Sequence, residues 1–354
     1  MTKAQLPDVA SMQFYEASLM KLSNFNFEEE RLKDEIKKRD AKRVFIHMPE
    51  GLKVEGPHLA SIIEKLGAVA FVSADTCYGG CDLAVQEAES IGADLIVHYG
   101  HSELLPKQRI PILYIEAKTS IDVKPAVKKA LLLLKRWKNI GLVTTIQHIE
   151  RLKEARATLL EAGKNVAVGD AGRLKHAGQV IGCDYSNARA VQKNVEAYLF
   201  VGGGRFHAIG VQLATSKPTI IADPYENRAF TVNEDVKRIL KQRWASIHEA
   251  EEAKEFGVLI GLKSGQMRVN QAVKAKDVLE KHGRRATLLT IREVTPQALM
   301  QFPTIEAFVN TACPRIALDD ASRFLKPVLL VNEAMVLVGD LTWEELLRKG
   351  WFED

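Results

Sequence analysis

The chain has 354 residues, 46% hydrophobic and 27% charged, with 49 Lys+Arg against 45 Asp+Glu. That length predicts two or three domains, the composition excludes global disorder, and a net charge of only +4 without a basic block offers no dedicated nucleic-acid surface. The apolar stretches at 328–331 and 334–338 are interrupted and fall short of a membrane span, and the start Met1-Thr2-Lys3-Ala4-Gln5 leads into polar sequence rather than a signal core, so no membrane partner and a cytoplasmic location are expected.

Residues 27–39 form an acidic-basic helical stretch, read as part of an appended extension over residues 1–38. A strand-like run at 43–47 then leads through a polar loop into an amphipathic helix that stops at Gly67. An apolar run suited to a buried strand follows, then a third strand over 92–98 and a fourth opened by Pro111. The same order returns from 140, with a helix stop at Gly163, a third strand over 196–201 and a fourth opened by Pro218. It returns again from 256, with Gly283, a third strand over 306–310 and Pro327. Each glycine stands where a left-handed C-cap residue belongs, and the three prolines recur 107 and 109 residues apart. The pattern predicts three homologous α/β units, divided at 39–125, 126–235 and 236–354, each large enough for its own core.

Strands alternating with helices predict parallel sheets, whose carboxyl ends gather on one edge, the usual place for a ligand. The four cysteines are too few for a disulfide framework in so long a chain. Cys81 follows the second strand of unit one, Cys183 occupies a comparable loop of unit two, and Cys313 follows the third strand of unit three. If the units pack around a pseudo-threefold axis with these edges inward, three thiols converge. Three thiolates suit a 4Fe-4S cluster that keeps one iron free of protein. A four-cysteine zinc site needs closer pairs than Cys77-x3-Cys81. A Cys-x3-Cys-x2-Cys signature fails because Ala84 holds the third position.

The loop words Met48-Pro49-Glu50-Gly51-Leu52-Lys53, Tyr78-Gly79-Gly80-Cys81-Asp82, His98-Tyr99-Gly100-His101-Ser102, Gly182-Cys183-Asp184-Tyr185, Ala222-Asp223-Pro224-Tyr225 and Ala312-Cys313-Pro314-Arg315 resemble the diphthamide synthesis protein family in its archaeal homodimeric form. The resemblance runs from about residue 41 to residue 333. It implies an α/β fold of three repeated parallel-sheet domains around a central iron-sulfur cluster held by Cys81, Cys183 and Cys313, with Cys77 an extra thiol packed nearby. It also implies a non-canonical radical transferase that moves the 3-amino-3-carboxypropyl group of S-adenosylmethionine to imidazole C2 of a histidine in translation elongation factor 2, releasing methylthioadenosine. A homodimer and an electron donor come with that reading, and no acid-base triad is required. The alternatives are a quinolinate synthase-like Lewis-acid enzyme and a non-catalytic partner or electron-relay subunit.

Candidate cofactor contacts lie on the same edge. His101 either hydrogen-bonds the cofactor or incoming histidine, or orders its own loop. In Gly202-Gly203-Gly204-Arg205-Phe206-His207, the glycines Gly203 and Gly204 permit close approach to a ligand, and Arg205 and His207 follow them. Arg315 either meets the cofactor carboxylate and tunes the cluster, or pairs with Asp319 or Asp320. Gln266, with Gly265, is expected to open the helix of unit three. Asp223 is read as a turn organiser, and the 131–134 leucine run as core.

Overall fold

The computed structural model describes residues 24–352, so the expected extension at 1–38 is seen only from residue 24. Its helix Glu29–Arg39 opens with Glu29 and Glu30 and closes with Lys37, Lys38 and Arg39, charges that oppose the helix dipole at both ends. Leu32 and Ile36, one turn apart, fasten it to the first unit.

The first sheet holds β1 (Arg43–His47), β2 (Val69–Val72), β3 (Leu95–Tyr99) and β4 (Ile112–Ile115). The second holds β5 (Asn139–Thr144), β6 (Asn165–Ala167), β7 (Ala197–Val201), β8 (Thr219–Asp223) and β9 (Arg228–Thr231). The third holds β10 (Glu255–Gly261), β11 (Arg285–Ile291), β12 (Ala307–Asn310) and β13 (Val328–Leu330). The orders are β2-β1-β3-β4, β6-β5-β7-β8-β9 and β11-β10-β12-β13, one four-strand order three times over with β9 added to the second sheet. Gly67, Gly163 and Gly283 end the first helices with φ of 85°, 74° and 76°, the left-handed turn that glycine makes without a Cβ clash.

Three expectations need correction. The second strands are not buried: β2, β6 and β11 are sheet edges, and Val69, Val72 and Leu288 reach solvent. Apolar composition does not distinguish an edge strand covered on one face from a central strand covered on two. Parallel pairing fails at β9, which runs antiparallel to β8. Only residues 224–227 separate the two strands, too short for a crossover helix. Asp223 reverses the chain there, its Oδ1 accepting from the Tyr225 and Glu226 amides at 2.9 and 3.2 Å. Finally, of the 131–134 leucines only Leu134 is buried; Leu132 and Leu133 face solvent. Helix Lys124–Leu133 buries the stripe Ala126, Val127 and Ala130 against the second sheet.

Distinct apolar clusters cover each sheet. Val44, Ile46, Leu95 and Val97 join the flanking helices of the first, Ile140, Leu142 and Leu199 those of the second, and Val258, Val309 and Leu329 those of the third. A further cluster is shared: Val143, Tyr198 and Phe200 of the second sheet pack in one body with Leu259, Phe308 and Val328 of the third.

Candidate functional site

The loops at the carboxyl ends of β2, β6 and β12 carry the cysteines. Cys81 lies between β2 and helix Val85–Ser90, Cys183 between β6 and helix Ser186–Val191, and Cys313 immediately before helix Pro314–Asp319. All three line a single cavity of about 540 Å³, within the usual range for a small-molecule site. Sheet topology explains the convergence: parallel strands point their carboxyl ends the same way, and three units turn those ends toward a common centre.

The thiols sense one another. Burial pushes Cys183 up to about 12, and the neighbouring Cys81 and Cys313 add to that rise. Burial raises Cys313 to about 11, opposed by the Arg315 backbone amide and reinforced by Cys81. Burial also raises Cys81, against a hydrogen bond from Gln266. Burial therefore favours the protonated thiol at each position, which is not the state of an activated nucleophile, and a metal ion that bound there would displace the protons. Cys77 is buried and is not among the cavity's lining residues.

The Cys81 loop is held by unit three. The Gly265 amide donates to the Cys81 carbonyl at 2.6 Å, Gln266 Nε2 stands 3.7 Å from Cys81 Sγ, and Ser264 Oγ donates to the Leu83 carbonyl at 2.8 Å. Lys263 Nζ pairs with the buried Asp82 at 2.7 Å, and Asp82 Oδ2 also accepts from the Tyr78 amide at 3.1 Å. The expectation that Gly265 and Gln266 open a helix is corrected, since that helix begins at Val269. They belong to the preceding loop, and glycine is required because a Cβ at position 265 would stand 2.7 Å from Cys81 Cβ.

His101, His207 and Arg315 also line the cavity. His98 belongs to β3 itself, and His101 follows in the loop, its Nδ1 3.1 Å from His98 Nε2. Burial lowers His101 to about 4, helped by His47, and lowers His207 to about 3, helped by the charges of Arg315 and His101. Both rings are neutral near pH 7, available for hydrogen bonding but not as cations. Arg315 supplies charge: Nε and Nη2 grip Asp319 at 2.6 and 2.8 Å, Nη2 also donates to the Phe206 carbonyl at 3.1 Å, and the guanidinium lies 3.7 Å from the Phe206 ring centroid. The Asp319 pairing expected as one alternative is therefore present. Nη1 nevertheless is buried with no hydrogen-bond partner.

Gly203, Gly204 and Arg205 are not brought to this cavity. Gly203 lies against Tyr225, the Gly204 amide donates to Asp223 Oδ2 at 3.3 Å, and Arg205 pairs with Asp235 while its guanidinium covers Phe230. The run serves the β7–β8 edge of unit two, and only Phe206 and His207 reach the site. Phe206 is the positioning residue to which the sequence assigned no role, beside the Asp319 partner it did offer. Phe206 is adjacent to His207 in the same glycine-led word, the one signal available for it.

Comparison with known proteins agrees with this geometry. The diphthamide synthesis protein family model matches residues 48–347. The 2-(3-amino-3-carboxypropyl)histidine synthase of Pyrococcus horikoshii is 39% identical over 307 residues, covering 86% of this chain and 88% of that protein. Subunit 1 of the Homo sapiens synthase of that name is 31% identical over 331 residues, covering 91% and 74%. The crystal structure of Dph2 from Pyrococcus horikoshii with a 4Fe-4S cluster superposes with a TM-score of 0.83 at 36% identity, covering 90% of this chain and 92% of that one. With its thrice-repeated sheet order and three cysteines on one cavity, this chain belongs to the diphthamide synthesis protein family.

Proposed function

We propose that the chain is a 2-(3-amino-3-carboxypropyl)histidine synthase, catalysing the first step of diphthamide formation. It transfers the aminocarboxypropyl group of S-adenosylmethionine to imidazole C2 of a histidine in translation elongation factor 2 and releases methylthioadenosine. The observation that carries this reading is the convergence of Cys81, Cys183 and Cys313, one from each of the units 39–125, 126–235 and 236–354, on one cavity. Three protein thiolates fit a 4Fe-4S cluster with one iron left for the substrate. When bound, the cluster supplies the single electron that opens a carbon–sulfur bond of the sulfonium.

The chain's own residues bind and orient. The unpartnered Arg315 Nη1 matches an anionic carboxylate, while Asp319 and the Phe206 ring hold the guanidinium planar and fixed. Neutral His101 and His207 offer ring nitrogens for polar contact. Gln266 adds a donor beside the Cys81 sulfur, which moderates charge on that ligand. Apolar walls from Leu52, Leu104 and Ile146 help keep water from a reactive carbon-centred group.

Family membership sets aside a quinolinate synthase-like activity, and retention of all three ligands argues against a non-catalytic subunit. A homodimer, a separate electron donor and elongation factor 2 as protein substrate complete the proposal. Among the described residues no helix is long and apolar enough to cross a membrane. The test is anaerobic reconstitution with dithionite, S-adenosylmethionine and purified elongation factor 2. Methylthioadenosine and a histidine-modified factor are expected; 5'-deoxyadenosine as the main product, or an unmodified factor, overturns the reading.

A further inference from the structure

Cys77 has no part in the three-cysteine site, yet its surroundings are specific. Ligand-capable atoms of Cys77, His47 and His98 all lie within 4.8 Å of one another, and all three residues are buried. The fold makes this trio. His47 ends β1 and is in direct register with His98 on β3, so the two rings rise from the same face of the sheet. Cys77 reaches them from the loop that leaves β2 and goes on to carry Cys81.

The nitrogen geometry limits what can sit between the rings. His47 Nδ1 and His98 Nδ1 are 3.2 Å apart. Two ring nitrogens at that distance share either a proton or a cation, because two lone pairs or two N–H groups repel. Two imidazole ligands at about 2.0–2.1 Å from a tetrahedral ion stand roughly 3.3–3.4 Å apart, so little movement is needed to admit one. A ligating histidine ordinarily donates its second ring N–H to an acceptor that fixes its tautomer. His98 has such a partner, its Nε2 lying 3.1 Å from His101 Nδ1, and the Thr76 backbone acts on the His47 ring. The charges of Asp82 and Glu50 act on Cys77, and those of Asp82 and Glu87 on His47, where Lys263, paired with Asp82, opposes them.

We propose that His47 Nδ1, Cys77 Sγ and His98 Nδ1 form a second metal site, for one borderline-soft divalent ion of the zinc class, separate from the three-cysteine site. The ion displaces the thiol proton of Cys77 to solvent and takes the thiolate and two neutral imidazoles as ligands. It ties β1, β3 and the Cys77–Cys81 loop together, which steadies the loop from which Cys81 projects. It also sets His98 Nε2 as donor to His101 Nδ1, which leaves His101 with its hydrogen on Nε2. The site thus acts on the cavity as a positioning device through His101 and the Cys81 loop.

The test uses the full chain after anaerobic iron-sulfur reconstitution and desalting, titrated with Co²⁺ as the spectroscopic probe. One equivalent is expected to give a thiolate-to-cobalt charge-transfer band with four-coordinate ligand-field bands. Cys77→Ser should abolish the charge-transfer band with iron content unchanged, and His47→Gln should weaken cobalt binding at least about 10-fold while keeping an amide able to hydrogen-bond His98. Cys183→Ser should leave the cobalt band in place. Absence of the band in the unaltered chain, its survival in Cys77→Ser, or its loss in Cys183→Ser overturns the proposal. A melting curve on each variant identifies folding failure, in which case His47→Gln carries the decision.

Discussion

Substituting Gly265 by alanine isolates the contact that seats Cys81, the cluster ligand proposed for unit one. Gly265 has no positive φ, so backbone strain plays no part. A Cβ at this position would stand 2.7 Å from Cys81 Cβ, 2.8 Å from its Cα and 2.9 Å from its carbonyl oxygen. Carbon pairs sit best at about 3.5–4.0 Å, so the two loops must separate by roughly 1 Å. Overpacking of this kind costs about 1–3 kcal/mol, and the 2.6 Å bond from the Gly265 amide to the Cys81 carbonyl adds about 1 kcal/mol when stretched. The functional effect should exceed the loss of stability, because metal-ligand distances tolerate only about 0.2 Å. Iron and sulfide per chain after anaerobic reconstitution should fall toward the level of Cys81→Ala. Gly283→Ala is the control: φ of 76° strains any side chain there, but nothing lies within 4 Å of the new methyl. It should cost about 1–2 kcal/mol and leave iron content unchanged. Full iron occupancy in Gly265→Ala, or equal iron loss in Gly283→Ala, would refute the reasoning.

Alanine at Cys81, Cys183 or Cys313 should each abolish the normal cluster spectrum, whereas Cys77→Ala should keep iron at the unaltered level, measured by iron assay and visible absorption. Arg315→Lys should weaken S-adenosylmethionine binding about 10- to 100-fold, the equivalent of the roughly 1.5–3 kcal/mol of a charged hydrogen bond, with the cluster spectrum intact; equilibrium binding reads this out. Arg243 and Glu333, both fully buried, meet at 2.5 and 2.8 Å, with Trp351 Nε1 donating to Glu333 at 2.8 Å. Glu333→Gln should therefore destabilise by about 3–5 kcal/mol in denaturant unfolding, since it leaves a buried guanidinium uncompensated. Burial holds His101 and His148 down near 4 and His207 near 3. The unfolded chain takes up protons near 6.5 where these folded rings do not, so stability is full above about pH 6.5 and falls as pH drops toward 4. His148→Gln should flatten that slope in melting curves taken across the window.

Features that act through the local backbone were legible in the sequence. Glycines with φ of 85°, 74° and 76° end three helices at corresponding places, and that requirement is written in residue identity. A proline before each fourth strand is equally local, because it lacks an amide and opens a strand without breaking its ladder. What was not legible depends on partners distant in the chain. The apolar runs of β2 and β11 do not reveal that these strands lie at sheet edges. The glycine run at 202–204 has the composition of a ligand loop, but Asp223 and Tyr225 occupy its open side. Arg315 and Phe206 are 109 positions apart, and their cation–ring stack exists only because helix Pro314–Asp319 packs against the start of helix Phe206–Thr215. Cys77 read as a spare thiol because its two histidine partners belong to other strands of its sheet.

The three cysteines of the cavity are not held alike, and the difference follows from where apolar area is buried. Units two and three share one continuous core, so Cys183 and Cys313 are carried on what is mechanically a single body. Among the described residues, unit one shares no core cluster with them and joins them chiefly through polar contacts, beside the stack of Phe25 on Tyr225. Lys263 meets Asp82 at 2.7 Å, Tyr78 OH donates to Glu293 at 2.5 Å, Gln147 Nε2 donates to the Gly100 carbonyl at 2.8 Å, and Lys175 pairs with Glu116 at 2.8 Å. Polar contacts exchange with water at little net cost, whereas opening a shared core exposes apolar surface at about 25 cal/mol per Å². The lower-energy separation is therefore between unit one and the other two. That boundary crosses the cavity, with Cys81 and His101 on one side and Cys183, Cys313 and Arg315 on the other. The contacts of Gly265, Gln266 and Lys263 with the Cys81 loop are therefore what hold that side of the cavity in register with the other.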